Sequence, residues 1–92
     1  MAQLTVYTNK AVRSAVAKNF LTTLAIPFTE VDVDTTPSAV VFLESKGRDT
    51  NHFSPPQFYV GETLAWENGF KDISNLTATE INQRIEEINA SI

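Results

Sequence analysis

Two short segments rich in β-branched and aromatic residues bracket a helical stripe, and that order constrains the fold more than anything else in the chain. Leu4-Thr5-Val6-Tyr7-Thr8 and Phe28-Thr29-Glu30-Val31-Asp32-Val33 both alternate apolar with polar side chains, the pattern of a half-buried strand. Between them Val12, Val16, Phe20 and Leu24 recur at every fourth position, and Ala17 and Leu21 widen the same face. That spacing predicts a helix with this row turned inward. Pro27 sets its expected end, because the residue before a proline is pushed out of the helical region. A strand–helix–strand unit makes a crossover, so its two strands pair in parallel.

The rest of the chain extends this order. Thr36-Pro37 is a helix start, with a hydroxyl at the N-cap and proline at the first helical position. The predicted helix covers Pro37–Ser45, carries Val40 and Leu43, and is closed by Gly47 in a left-handed cap. Residues 46–56 read as a polar loop. Gln57-Phe58-Tyr59-Val60 and Thr63-Leu64-Ala65-Trp66, joined at Gly61-Glu62, form a hairpin. Thr77-Ala78-Thr79-Glu80 is a capping box that opens a helix with Ile81, Ile85, Ile88 and Ile92 on one face. The expected fold class is α/β, in the order β-α-β-α-β-β-α: a mixed four-stranded sheet flanked by helices. At 92 residues the chain is expected to be one domain, 1–92.

Composition narrows the chemistry. The chain has no cysteine and one histidine, which excludes a disulfide framework, a thiolate or histidine-rich metal centre and a cysteine nucleophile. No metal or cofactor is expected. A net charge of −4 argues against nucleic acid as a partner. The charge is uneven: residues 1–29 hold Lys10, Arg13, Lys18 and no acid, for +3, while the remaining residues carry −7. No apolar run is long enough for a membrane helix, and Met1–Val6 lacks the features of a signal peptide. A cytoplasmic monomer is expected, so the sequons at Asn75 and Asn89 carry no weight.

Several stretches also carry a resemblance. Leu4–Thr8 is similar to the opening strand of glutaredoxins, Leu21 through Ile26-Pro27-Phe28 to the end of their first helix, and Val31-Asp32-Val33-Asp34 to their second strand. Pro56, followed by Phe58-Tyr59-Val60, matches the proline that opens their third strand. Trp66 with Gly69-Phe70 resembles a Trp-Ser-Gly-Phe motif, with Glu67-Asn68 in place of one residue. Over nearly its whole length the chain resembles the glutaredoxin family of the thioredoxin fold, and within it the short NrdH-redoxins that donate electrons to ribonucleotide reductase.

The resemblance implies a thioredoxin-like fold, a Cys-x-x-Cys at the start of the first helix, and a cis proline at the third strand. It also implies that the residue before that proline pairs its backbone with bound substrate as an added strand. Aligned on Leu21, the dithiol falls on Ala11-Val12-Arg13-Ser14. Disulfide exchange needs an attacking thiolate and a resolving thiol. Ala11 has no heteroatom and the Ser14 hydroxyl stays protonated near neutrality, so no catalytic residue is assigned. The residue before Pro56 is Pro55, which has no N–H, so the implied docking edge lacks its donor. Replacement of two cysteines in this copy would explain the first loss and not the second. Together they predict a chain without redox activity.

The expected function is therefore that of a binding or interaction module acting through the former active-site groove. That groove comprises Lys10, Val12, Arg13, Ser54, Pro55, Pro56, Gly69, Phe70 and Lys71, and its partner is a protein or a small anion, glutathione among them. Two alternatives stand beside it. One is an electron donor whose cysteines were replaced; the other is a glutathione-binding, transferase-like protein in which Ser14 donates to a thiolate. Each residue also has a plainer reading. Lys10 and Arg13 at a helix start form an anion site or two solvated side chains. Ser14 bonds a ligand or the nearby backbone. Trp66 and Phe70 anchor a partner or simply pack. Tyr7 reads as strand packing, His52 as a surface residue, Glu86-Glu87 as a solvated face and the isoleucine row as core.

Overall fold

The structure, a computed structural model, describes residues 3–10, 12–46, 56–66 and 69–91. The elements in chain order are β1 (Leu4–Thr8), α1 (Val12–Thr23), β2 (Phe28–Asp32), α2 (Pro37–Ser45), β3 (Gln57–Val60), β4 (Thr63–Leu64), α3 (Phe70–Ile73) and α4 (Ala78–Ser91). The four strands form one sheet in the order β2-β1-β3-β4. β1 and β2 are parallel, with Leu4 opposite Phe28 and Thr8 opposite Asp32. β1 and β3 are antiparallel, with Leu4 opposite Val60 and Tyr7 opposite Gln57, and β3 and β4 are antiparallel as well. The chain is thus mixed α/β, with parallel and antiparallel pairs in one sheet. No helix of the described residues is long and apolar enough to cross a membrane.

Alternation along the strands divides the core into two layers. Leu4 and Val6 of β1 and Phe58 and Val60 of β3 face Ala17 and Leu21 of α1, Ile73 of α3, and Ile81 and Ile88 of α4. Tyr7, Val31 and Tyr59 point to the opposite side and pack with Ala39 and Leu43 of α2. There Tyr7 stacks on Phe42 at 5.5 Å and meets the edge of Tyr59. All four residues of β3 are buried because the strand is covered on both faces. α4 opens as its sequence predicts: the Thr77 N–H donates to Glu80 Oε1 (3.0 Å) and the Glu80 N–H donates to Thr77 Oγ1 (3.2 Å). Such a reciprocal cap contributes about 1 kcal/mol.

The structure corrects several local expectations. The inward face of α1 is Ser14, Ala17 and Leu21, while Val12 and Val16 are exposed and Phe20 is only partly buried. A row of every fourth residue advances about 40° per step, so it cannot hold one face over twelve residues. Helix α1 also stops before Pro27 acts. The Ile26 N–H donates to Leu21 O and the Ala25 N–H to Thr22 O, both at 3.0 Å, which is a Schellman closure. Ala25 holds the left-handed position of that closure with φ +56°, where glycine is the usual residue. Ala25→Gly is expected to raise stability by about 0.5 kcal/mol, read from the urea midpoint, because relief of the left-handed strain outweighs the extra chain entropy.

Three further differences are smaller. Thr36 is the N-cap of α2, but its hydroxyl makes no capping bond, and proline at the first position has already removed one orphan donor. β4 is two residues long rather than four, although the Ala65 N–H still donates to Phe58 O at 2.9 Å. The turn α3 is not signalled in the sequence. Gly47, His52 and Ile92 lie outside the described residues.

Candidate functional site at the end of β1 and β3

Strand register brings two of the expected site segments to one end of the sheet. Since Tyr7 lies opposite Gln57, the chain leaving β1 at Asn9-Lys10 and the chain entering β3 at Pro56 share that end. The parallel pairing of Thr8 with Asp32 delivers the end of β2 there too. The carboxyl ends of the parallel strands in an α/β sheet are where ligands are usually bound. Ala11, Ser54 and Pro55 lie outside the described residues, as does the geometry of the Pro55–Pro56 bond.

At the start of α1 the serine is turned inward and the cations outward. Ser14 is fully buried; its Oγ accepts the Asn9 N–H (3.1 Å) and donates to Asn9 Oδ1 (3.0 Å). The hydroxyl thus ties the first turn of α1 to the end of β1. Its proton is already used, so a thiolate at Ser14 would have to displace Asn9. Lys10, Val12 and Arg13 are exposed, and the first turn of α1 contains no acid. The Lys10 N–H donates to Asp34 Oδ2 (3.3 Å), while Asp32 Oδ1 accepts the Asp34 N–H (2.8 Å). A free anion at this end would therefore compete with a resident carboxylate for one backbone donor.

Opposite, Pro56 and Gly69 are both buried and meet through their backbones. A Cβ on Gly69 would stand 2.7 Å from the Pro56 carbonyl oxygen, and Gly69 has φ +62°. Glycine is the residue that permits this approach. Phe70 then turns onto Phe20 of α1, with ring centroids 5.6 Å apart at 80°, while Lys71 is exposed. Trp66 is buried edge-on against Phe58 at 6.0 Å, so it packs rather than presenting an anchor. Arg84 Nε donates to Ala65 O (3.2 Å), which ties α4 to the same segment. Direct contact therefore joins Pro56, Gly69, Phe70 and Phe20. Lys10 and Ser14 instead reach Asp34 and Asn9, two residues not among those expected from the sequence. No local pattern marks either, since both meet the start of α1 only through the fold.

The third cation of the basic segment serves a different purpose. Lys18 Nζ lies 2.9 Å from Glu30 Oε2, and the buried Thr8 hydroxyl donates to the same oxygen at 2.9 Å. Lys18, then Thr8, hold the Glu30 carboxyl below the usual carboxylate range. A group whose folded pKa is depressed stabilises the fold above its unfolded pKa, and loses that contribution as pH falls through the folded value. With side chains 35% and 40% exposed, the contribution is about 0.5 kcal/mol after solvent screening. Glu30→Gln should be less stable than the parent by that amount at neutral pH. The two urea midpoints should converge once the pH is below the folded pKa.

Comparisons with protein-family models, with characterised proteins and with solved structures find no match to this chain.

Proposed function

We propose that this chain is a glutaredoxin-like protein of the thioredoxin fold that has no redox chemistry and acts as a binding module through the end of the sheet where the dithiol would stand. The observation that carries this reading is topological. A sheet in the order β2-β1-β3-β4, with β1 and β2 parallel and the other pairs antiparallel, has α1 and α4 on one side and α2 on the other. That arrangement supports the thioredoxin-like expectation, and it sets the start of α1 at the same end as Pro56. The sequence supplies the rest, since the chain contains no cysteine.

Ser14 favours this reading over its two alternatives. A hydroxyl that is buried and reciprocally bonded to Asn9 behaves as a built structural element. It is a poor stand-in for an exposed nucleophile, and it leaves no spare donor for a glutathione thiolate. The test is reduction of a small disulfide by the unaltered chain and by Ala11→Cys/Ser14→Cys. Neither should approach the turnover of an active glutaredoxin. Family-like turnover by the double variant would favour replacement of cysteines in an otherwise intact electron donor.

A further inference from the structure

The outward face of α1 is neutral and partly apolar, where that of α4 is charged. Val12, Ala15, Val16, Asn19 and Thr23 are all exposed and none is charged. Val12 is 79% and Val16 45% exposed, one turn apart on one side of the helix. Only Val41 joins them among the large exposed apolar side chains of the described residues. By contrast, α4 turns Glu80, Gln83, Glu86 and Glu87 to solvent, as a solvated helix normally does. Lys10 and Arg13 flank the neutral face, both exposed, and α1 contributes no acid to offset them. An apolar strip edged by cations thus stands on a chain that is otherwise acidic.

We propose that this face docks an acidic segment of a partner protein, with apolar side chains of that segment on Val12 and Val16 and its carboxylates at Lys10 and Arg13. This rests on the binding-module reading and names the chemistry of its partner. Charge complementarity favours carboxylates, while the two valines require apolar groups beside them. A free small anion would leave the valines uncovered and would meet Asp34 at the Lys10 N–H. A second copy fits less well. A two-fold contact on this face would offer neither copy a carboxylate for Lys10 and Arg13, since α1 contains no acid. A helix of 12 residues also offers less than the roughly 1,000 Å² that a stable dimer buries.

The test is amide-shift mapping with a short synthetic peptide that alternates glutamate with leucine at helical spacing. Its controls are a peptide with lysine for glutamate, one with serine for leucine, and glutathione alone. The acidic peptide should shift Val12, Arg13, Val16 and Asn19, and both peptide controls should bind about tenfold more weakly. Val12→Ser/Val16→Ser should lose about as much while keeping its urea midpoint, since both side chains are exposed. Lys10→Glu/Arg13→Glu should reverse the preference towards the lysine peptide. Equal binding of both charged peptides would overturn the proposal. So would shifts confined to Gln57, Gly69 and Phe70, although those would leave the binding-module reading standing. Silence of every amide towards all four probes would sink both.

Discussion

Gly69→Ala is expected to destabilise the fold by about 3 kcal/mol, the largest single effect among the substitutions considered. Two causes add. Gly69 adopts φ +62° with ψ −132°, a region that side chains with a Cβ avoid. The new methyl would also stand 2.7 Å from the Pro56 carbonyl oxygen, which is backbone and cannot swing aside. Either the turn into α3 or the entry to β3 must move, and both border the candidate site. Gly61→Ala is the control: its φ is +63°, but it sits in the exposed turn between β3 and β4. There the cost should be about 1 kcal/mol, that of the left-handed conformation alone. Urea midpoints of the two variants separate strain from close approach. Equal losses would mean that contact with Pro56 contributes nothing.

Ser14→Ala is expected to cost about 2 kcal/mol. The substitution removes a buried hydroxyl that both accepts from the Asn9 N–H and donates to Asn9 Oδ1. Ser14→Cys should fall between parent and alanine, because a thiol is a weaker donor and acceptor than a hydroxyl. The ordering Ser, Cys, Ala in the urea midpoint is thus the signature of a residue selected for its hydrogen bonds. A cysteine variant more stable than the parent would point instead to a position shaped for sulfur. Either way the measurement bears on why α1 begins as it does, independently of any partner.

These effects also mark where the sequence was readable. Several signals confined to a few neighbouring residues hold in the structure, although the Thr36 hydroxyl does not cap α2. Thr77 and Glu80 announced their reciprocal cap, Pro37 announced the start of α2, alternation marked all of β1, and a short apolar and aromatic run marked β3. The inward face of α1 was harder, because valine at Val12 and Val16 is as apolar as a core residue while the true centre of the face includes a serine. Only the tertiary partner Asn9 explains why a hydroxyl belongs there. Ala25 was invisible for a related reason: nothing in its chemistry reports a left-handed backbone that the Leu21–Ile26 closure imposes. Of the residues named from the sequence, strand register sets Lys10 and Pro56 at one end of the sheet, and Gly69 meets Pro56. Asp34 was missed, since a carboxylate in a turn has no local mark showing that it will meet the start of another helix.

The most direct measurement of the proposed reading adds two thiols and a backbone donor in stages. Disulfide reduction would be followed for the unaltered chain, for Ala11→Cys/Ser14→Cys, and for that variant with Pro55→Ala, which returns an N–H to the residue before Pro56. If the chain has lost both its thiols and its docking donor, the first should be inactive, the second weak, and the third should gain about tenfold over the second, the worth of one hydrogen bond at the docking edge. Full activity in the double variant, unchanged by Pro55→Ala, would contradict the loss of docking and return the chain to the electron donors it resembles.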